Sequence, residues 1–205
     1  MQLTTPQIAQ AMLGMVLQTN IGGLTSGIIV ETEAYLGVID KAAHAYQNRR
    51  TKRNAALFDK AGTVYVYQMR NQFLLNIVTK DNQPECVLIR GIEPLTGQAL
   101  MQQRRYPQTR WNLTNGPGKL CRALAIDLSF NDTLLGQKLS LLPRYDQPRQ
   151  IITTARVGIP NKEPWTSRPL RYFVAGNPYV SGIRQRQIAF DNYGWQKNKV
   201  SDIND

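Results

Sequence analysis

Two carboxylates and a phenol alternate through Val30-Glu31-Thr32-Glu33-Ala34-Tyr35, at the end of a run of β-branched residues. Strand geometry puts Glu31, Glu33 and Tyr35 on one face and Val30, Thr32 and Ala34 on the other. A carboxylate beside an aromatic wall can hold and deprotonate a water molecule. The six residues alone also fit a solvated strand face, since buried glutamates are uncommon. The only histidine, His44, lies in Lys41-Ala42-Ala43-His44-Ala45-Tyr46. One histidine and two distant cysteines do not make a structural zinc site, so neither a metal nor another cofactor is expected. Gly116-Pro117-Gly118-Lys119, at a helix start, could offer backbone N–H groups and Lys119 to a phosphate, or simply begin the helix. It lacks the spacing of a nucleotide-binding P-loop. In Thr63-Val64-Tyr65-Val66-Tyr67-Gln68-Met69 the alternation sends Tyr65, Tyr67 and Met69 to one face. Tyrosines so placed either pack a sheet or stack on a nucleobase, worth about 1–3 kcal/mol per base.

The composition narrows these choices. The chain has 205 residues and a formal net charge of +11. That length fits one folded unit with a substantial core, and residues 1–205 are read as a single domain. Such an excess of Lys and Arg points to a polyanion, with nucleic acid first. A membrane surface fits less well, because no long apolar span or basic amphipathic helix is present. The N-terminus lacks a signal peptide's charged start and apolar centre. Cys86 and Cys121, in apolar surroundings, read as reduced core thiols, which agrees with a cytoplasmic location.

The elements that must position these residues follow from periodicity. Thr5 is expected to cap a first helix with Pro6 at its start, and Ile8, Met12, Leu13 and Val16 repeat at helical spacing. Residues 21–23 form a turn, and residues 27–35 a strand. Residues 36–61 read as a long functional loop with a short helical turn. Its basic centre, Arg49-Arg50-Thr51-Lys52-Arg53, supplies candidate phosphate contacts at Arg49, Arg50, Lys52 and Arg53, to which Lys119 is added. Strands over residues 63–69 and 74–78 make a hairpin, followed by a strand at residues 87–90. Helices are expected over residues 93–105, with Pro94 near the start, and from residue 115. Further strands are read at 139–142, 151–157 and 170–175, and a polar, loosely packed tail from about residue 190. The pattern predicts an α+β fold: one curved, mostly antiparallel sheet flanked by helices, with a protruding hairpin.

At this level of detail the chain resembles the alkyladenine (3-methyladenine) DNA glycosylases, in the form of a bacterial member. The resemblance rests on Ile29-Val30-Glu31-Thr32-Glu33-Ala34-Tyr35-Leu36-Gly37, Ala42-Ala43-His44, Lys52-Arg53-Asn54 and Gly62-Thr63-Val64-Tyr65-Val66-Tyr67. It continues through Val87-Leu88-Ile89-Arg90, Glu93-Pro94 and Asn115-Gly116-Pro117-Gly118-Lys119-Leu120-Cys121. Ala155-Arg156-Val157-Gly158 and Pro169-Leu170-Arg171-Tyr172-Phe173 complete it, in the same order along nearly the whole chain.

The resemblance implies a monofunctional, cofactor-free glycosylase that turns damaged purines out of double-stranded DNA and has no obligate protein partner. It makes Glu33 the base that deprotonates the attacking water, and Glu31 its non-catalytic neighbour. Tyr35, His44 and Tyr67 match the pocket around the extruded base. Arg90 matches an arginine near the water and the target phosphate, and Asn76 an asparagine lining the pocket. The hairpin tip departs from the pattern. Relatives carry a tyrosine that enters the duplex, whereas Gln68-Met69-Arg70-Asn71-Gln72 is one residue shorter and has none. Met69 and Arg70 are both candidates for the wedge, and strand alternation favours Met69.

Two other readings compete. A non-catalytic nucleic-acid-binding module would explain the charge but not the acid among aromatic residues. A small-molecule glycoside hydrolase using Glu31 and Glu33 would need carboxylates on opposite sides of a sugar, yet these lie about 7 Å apart along one strand face.

Overall fold

The computed structural model describes residues 3–196. Helix α1 (Thr5–Ala11) is capped by Thr4, one residue earlier than expected. The Gln7 side chain answers by accepting the Thr4 N–H at 2.8 Å. Thr5 instead turns its hydroxyl inward, 2.8 Å from that of Thr79. The helix stops at Ala11, and Gly14, at φ 88°, redirects the chain. Val16 therefore belongs not to the helix but to β1 (Met15–Asn20). Its apolar spacing from Leu13 imitates a helical repeat across a turn.

β1 and β2 (Leu24–Tyr35) form a hairpin around the turn at residues 21–23. After the loop come β3 (Thr63–Met69), β4 (Gln72–Lys80) and β5 (Gln83–Thr96). The remaining elements are α2 (Gln98–Arg105), α3 (Pro117–Ala123), β6 (Thr133–Leu134), β7 (Leu139–Arg144), β8 (Ile151–Thr154) and β9 (Arg171–Val174). The nine strands among the described residues join one antiparallel sheet in the order β6-β3-β4-β5-β2-β1-β7, with β9 pairing to both β2 and β8. β2 is the axis: β5 runs along one edge, while β1 and then β9 share the other.

The sheet's two faces have different tasks. Val30, Val64, Val66, Leu75, Ile77, Val87 and Ile89 join the main core, which also takes in Ala9, Leu13, Leu120 and Leu124 from the helices and the residues just beyond them. Alternation sends Tyr65, Val78 and Cys86 to a second, smaller cluster with Ala45, Ala56 and Leu57 from the loop above. That loop carries three short 3-10 segments, Gly37–Ile39, Tyr46–Asn48 and Lys52–Phe58, where one helical turn was expected.

Two further differences from the sequence reading have local causes. Residues 93–96 extend β5 rather than opening a helix. Buried Glu93 accepts from Asn177 Nδ2 at 2.7 Å and Trp195 Nε1 at 2.8 Å, and a register shift beside Gly27 admits Pro94. The helix begins only after Gly97, at φ 73°. The tail predicted from residue 190 is docked at least as far as Trp195, which is buried in the core and bridges to Pro148. Residues 197–205 lie outside the described region. Strand β8 stops at Thr154, short of the predicted residue 157, which frees Arg156 and Val157 to leave the sheet. Among the described residues no helix is long and apolar enough to cross a membrane.

Candidate active site

Glu31 and Glu33 share one face of β2, as alternation requires, and neither is reached by solvent. The solvated-face alternative is thereby excluded. β-Bulges on both sides of Glu31 shift the register against β5, and Gly91 stands opposite. A side chain there would meet Tyr179 O at 2.6 Å and Glu31 itself. Glu31 accepts four hydrogen bonds: Arg90 Nε (3.0 Å), Arg171 Nε (2.7 Å), Ser181 N (2.7 Å) and Ser181 Oγ (2.8 Å). Three of them fall on Oε1 and one on Oε2, about as many donors as a carboxylate ordinarily accepts.

Glu33 accepts two: Val157 N–H on Oε1 at 2.7 Å and the Tyr35 hydroxyl on Oε2 at 3.0 Å. Arg90 Nε lies 3.4 Å from its Oε1. Burial pushes the carboxyl above the usual carboxylate range. Arg90, the Val157 N–H and the Tyr35 hydroxyl oppose that rise, while Glu31 adds to it. Burial, and then Glu33, also keep the Tyr35 phenol firmly protonated.

Beyond Tyr35 the sheet forms a cavity of about 160 Å³, whose wall includes His44, Tyr65, Tyr67, Met69, Asn76 and Cys86. An apolar cavity of about 150 Å³ accommodates benzene, so this one suits a flat ring system. Tyr65 and Tyr67 stack at 5.5 Å, and His44 stands edge-on to Tyr67 at 4.5 Å. The Tyr65 hydroxyl lies 2.8 Å from His44 Nδ1, holding one ring nitrogen and leaving Nε2 unassigned. Partial removal from water, then Arg53 and Arg49, hold the imidazole pKa below its usual value. Burial pushes the Tyr67 hydroxyl up to about 12. Asn76, paired across the hairpin with Tyr65, donates Nδ2 to the Tyr65 carbonyl at 3.2 Å.

A wider cleft of about 630 Å³ adjoins this cavity, shares Ala42, Ala43, His44 and Tyr65 with it, and adds Lys41, Arg49, Arg53 and Lys162. Asn54 holds the basic loop in place by donating to the carbonyls of His44 (3.1 Å) and Arg49 (2.9 Å). Arg53 reaches the Gln68 carbonyl and lies over Tyr67, while Arg50 covers Phe58. Lys52 faces a separate groove with Arg53 and Arg70. Lys119 stands apart from both cavities and donates to Asn112 and Asn115. Gly118 answers to packing, because a Cβ there would lie 2.2 Å from the Gln72 side chain. At the tip Arg70, at φ 53°, and Asn71 form a two-residue turn between paired Met69 and Gln72. Met69 is half exposed and faces the aromatic cavity, whereas Arg70 faces the groove.

The structure thus brings Glu33, Tyr35, His44, Tyr67, Met69, Asn76 and Arg90 into one region. Arg50, Lys52, Arg70 and Lys119 line neither the cavity nor the wider cleft. The sequence reading gave no role to Asn54, Ser181, Asp40 or Arg156, and named Tyr65 only as a packing or stacking tyrosine. Arg156 and Asn54 stood in recognised segments, and Asp40 is the only acid between Glu33 and Asp59. Ser181 carried no signal. Among the described residues no group of three His, Cys, Asp or Glu is placed to hold a metal ion.

Comparison with known proteins places the chain in a family. Residues 1–178 match the methylpurine-DNA glycosylase family. A Lactiplantibacillus plantarum protein named "Putative 3-methyladenine DNA glycosylase" is 56% identical over 197 residues, covering 94% of this chain and 93% of its own length. Proteins of the same name from Listeria monocytogenes and Enterococcus faecalis are 47% and 44% identical, over 90% and 94% of this chain and 91% and 86% of their own. The chain belongs to the methylpurine-DNA glycosylase family, DNA-repair hydrolases that remove bases from DNA.

Proposed function

We propose that the protein is a monofunctional glycosylase that turns alkylated or deaminated purines out of double-stranded DNA and hydrolyses the N-glycosidic bond with a water activated by Glu33. The observation that carries this reading is the contrast in pairing: Glu31 accepts four hydrogen bonds, whereas Glu33 accepts two, one of them from Tyr35 in the wall of the aromatic cavity.

The +11 charge supplies sequence-independent attraction to phosphates. Extruding a nucleotide costs a few kcal/mol, less where damage has weakened pairing. Met69, at the exposed tip and on the cavity side, fills the vacated step as an apolar wedge. Methylation at N3 or N7 makes a purine cationic, and such a ring is attracted to the faces of Tyr35 and Tyr67. His44, kept neutral, hydrogen-bonds one edge of the base, and Asn76 screens another. As the glycosidic bond stretches, the sugar takes on oxocarbenium character. Ionised Glu33 takes a proton from the water and places negative charge near the developing cation, while Arg90 keeps it ionised. Among the described residues no lysine lines the aromatic cavity, which supports hydrolysis without a Schiff base and hence no strand cleavage.

The proposed substrate range is 3-methyladenine and 7-methylguanine, with hypoxanthine and ethenoadenine as neutral candidates, all flat rings of the kind the cavity suits. Incubation with duplexes each carrying one of these lesions, scored for abasic sites, tests it. Release of the cationic methylpurines with intact strands is expected. Strand breaks with a trapped protein–DNA adduct, or no release from any duplex, would contradict it.

A further inference from the structure

Asp40 and Arg156 take no part in the chemistry above, yet they form an ion pair that solvent does not reach. Arg156 donates Nη1 to Asp40 Oδ2 at 2.6 Å and Nη2 to Oδ1 at 2.9 Å. Two parallel bonds of this kind fix orientation as well as adding energy. Asp40 also accepts the backbone N–H groups of Leu36 (3.1 Å) and Ala42 (2.9 Å), at either end of the turn that leads to His44. Arg156 donates to the Ala34 carbonyl at 3.1 Å, and its guanidinium lies 4.5 Å from the centre of the Tyr35 ring. The next residue, Val157, gives its N–H to Glu33. One ion pair therefore touches the β2 end, the loop that carries His44, and the segment that holds the proposed base.

Stability alone is a poor reason for such a pair. Buried ion pairs are often no better than apolar residues of similar volume, and here Arg156 Nε is buried with no hydrogen-bond partner. We propose that Asp40 and Arg156 are positioning residues, whose fork sets where the Val157 N–H meets Glu33 and how the Tyr35 ring stands in the cavity wall. The inference rests on Glu33 acting as the base.

Its test is the pH dependence of single-turnover 3-methyladenine release from an alkylated duplex. Arg156→Lys keeps the charge but can neither form the fork nor lie flat on the ring. The charged and titratable groups around Glu33, namely Arg90, Glu31, Tyr35, Tyr67 and residue 156 itself, are then unchanged in kind, so a moved profile reports geometry. The expected result is a fall of about 10²-fold, the scale of a 1 Å misplacement. The acid limb should also move to higher pH, because a weakened Val157 bond no longer opposes the effect of burial on Glu33. Asp40→Asn, which breaks one arm of the fork, should move the limb the same way by less, and serves if Arg156→Lys does not fold. A folded variant of either kind with an unmoved limb overturns the inference. Glu33→Gln is run alongside: release at the wild-type rate would overturn the base assignment itself, whereas its loss with unmoved limbs would overturn only the positioning role.

Discussion

Glu31 and Glu33 sit two residues apart on one strand, equally buried and both beside Arg90, yet their surroundings differ in kind. Glu31 accepts four hydrogen bonds, from two guanidinium groups and both donors of Ser181. Its partners come from β5, β9 and the segment after β9, so it ties three parts of the chain together. Glu33 has a backbone N–H and a phenol, and its carboxyl is pushed upward by burial. Four donors suit an acid to a structural role; lighter pairing, in the same dielectric, leaves one able to do chemistry. Strand alternation cannot separate the two. The difference is made by what crosses over from residues 157 to 181.

The comparison can be broken most severely at Glu31. Glu31→Ala leaves Arg90 and Arg171 buried without their shared counter-charge, and a loss of about 3–5 kcal/mol in unfolding free energy is expected from denaturant titration. A loss below 1 kcal/mol would show that the cluster is not a structural tie. Tyr35→Phe sharpens the other side. It keeps the ring but removes a donor that holds the Glu33 pKa down, so the acid limb of excision should move to higher pH, with activity lost first on the acid side. An unmoved limb would detach Tyr35 from the base. The smallest effect is expected at the hairpin tip. Met69→Ala should slow excision from duplex DNA more than from single strands, which need no plug. Equal losses, or a larger effect from Arg70→Ala, would move the wedge elsewhere.

Much of this division was legible where it depended on local periodicity. Period-2 alternation placed Glu31, Glu33 and Tyr35 on one face of β2, and Tyr65, Tyr67 and Met69 on one face of β3, because the pleat alone decides it. Family resemblance implied different roles for the two acids, which alternation could not. Errors came where tertiary partners override local signals. Glu93-Pro94 looked like a helix start, but Asn177 and Trp195, 84 and 102 residues away, hold Glu93 in a strand. Ser181 meets Glu31 across 150 residues, and Arg156 meets Asp40 across 116. Nothing in the spacing of either sequence segment encodes such contacts; the crossing of β9 onto β2 creates them.

The division of labour is tested most directly by the rate of 3-methyladenine release per folded molecule, measured for Glu31→Gln and Glu33→Gln side by side. Glu33→Gln keeps the shape of the site. A carboxyl whose pKa is raised by folding favours the native state below the usual carboxylate range, and that benefit is lost as the pH rises through the raised value. The Glu33→Gln protein should therefore be no less stable than wild type at neutral pH and still bind duplex DNA. Its release rate should fall by about 10²–10⁴-fold, the usual contribution of a general base. Glu31→Gln should unfold more easily while its folded molecules lose far less activity. Equal losses per folded molecule, or the larger loss from Glu31→Gln, would contradict the account.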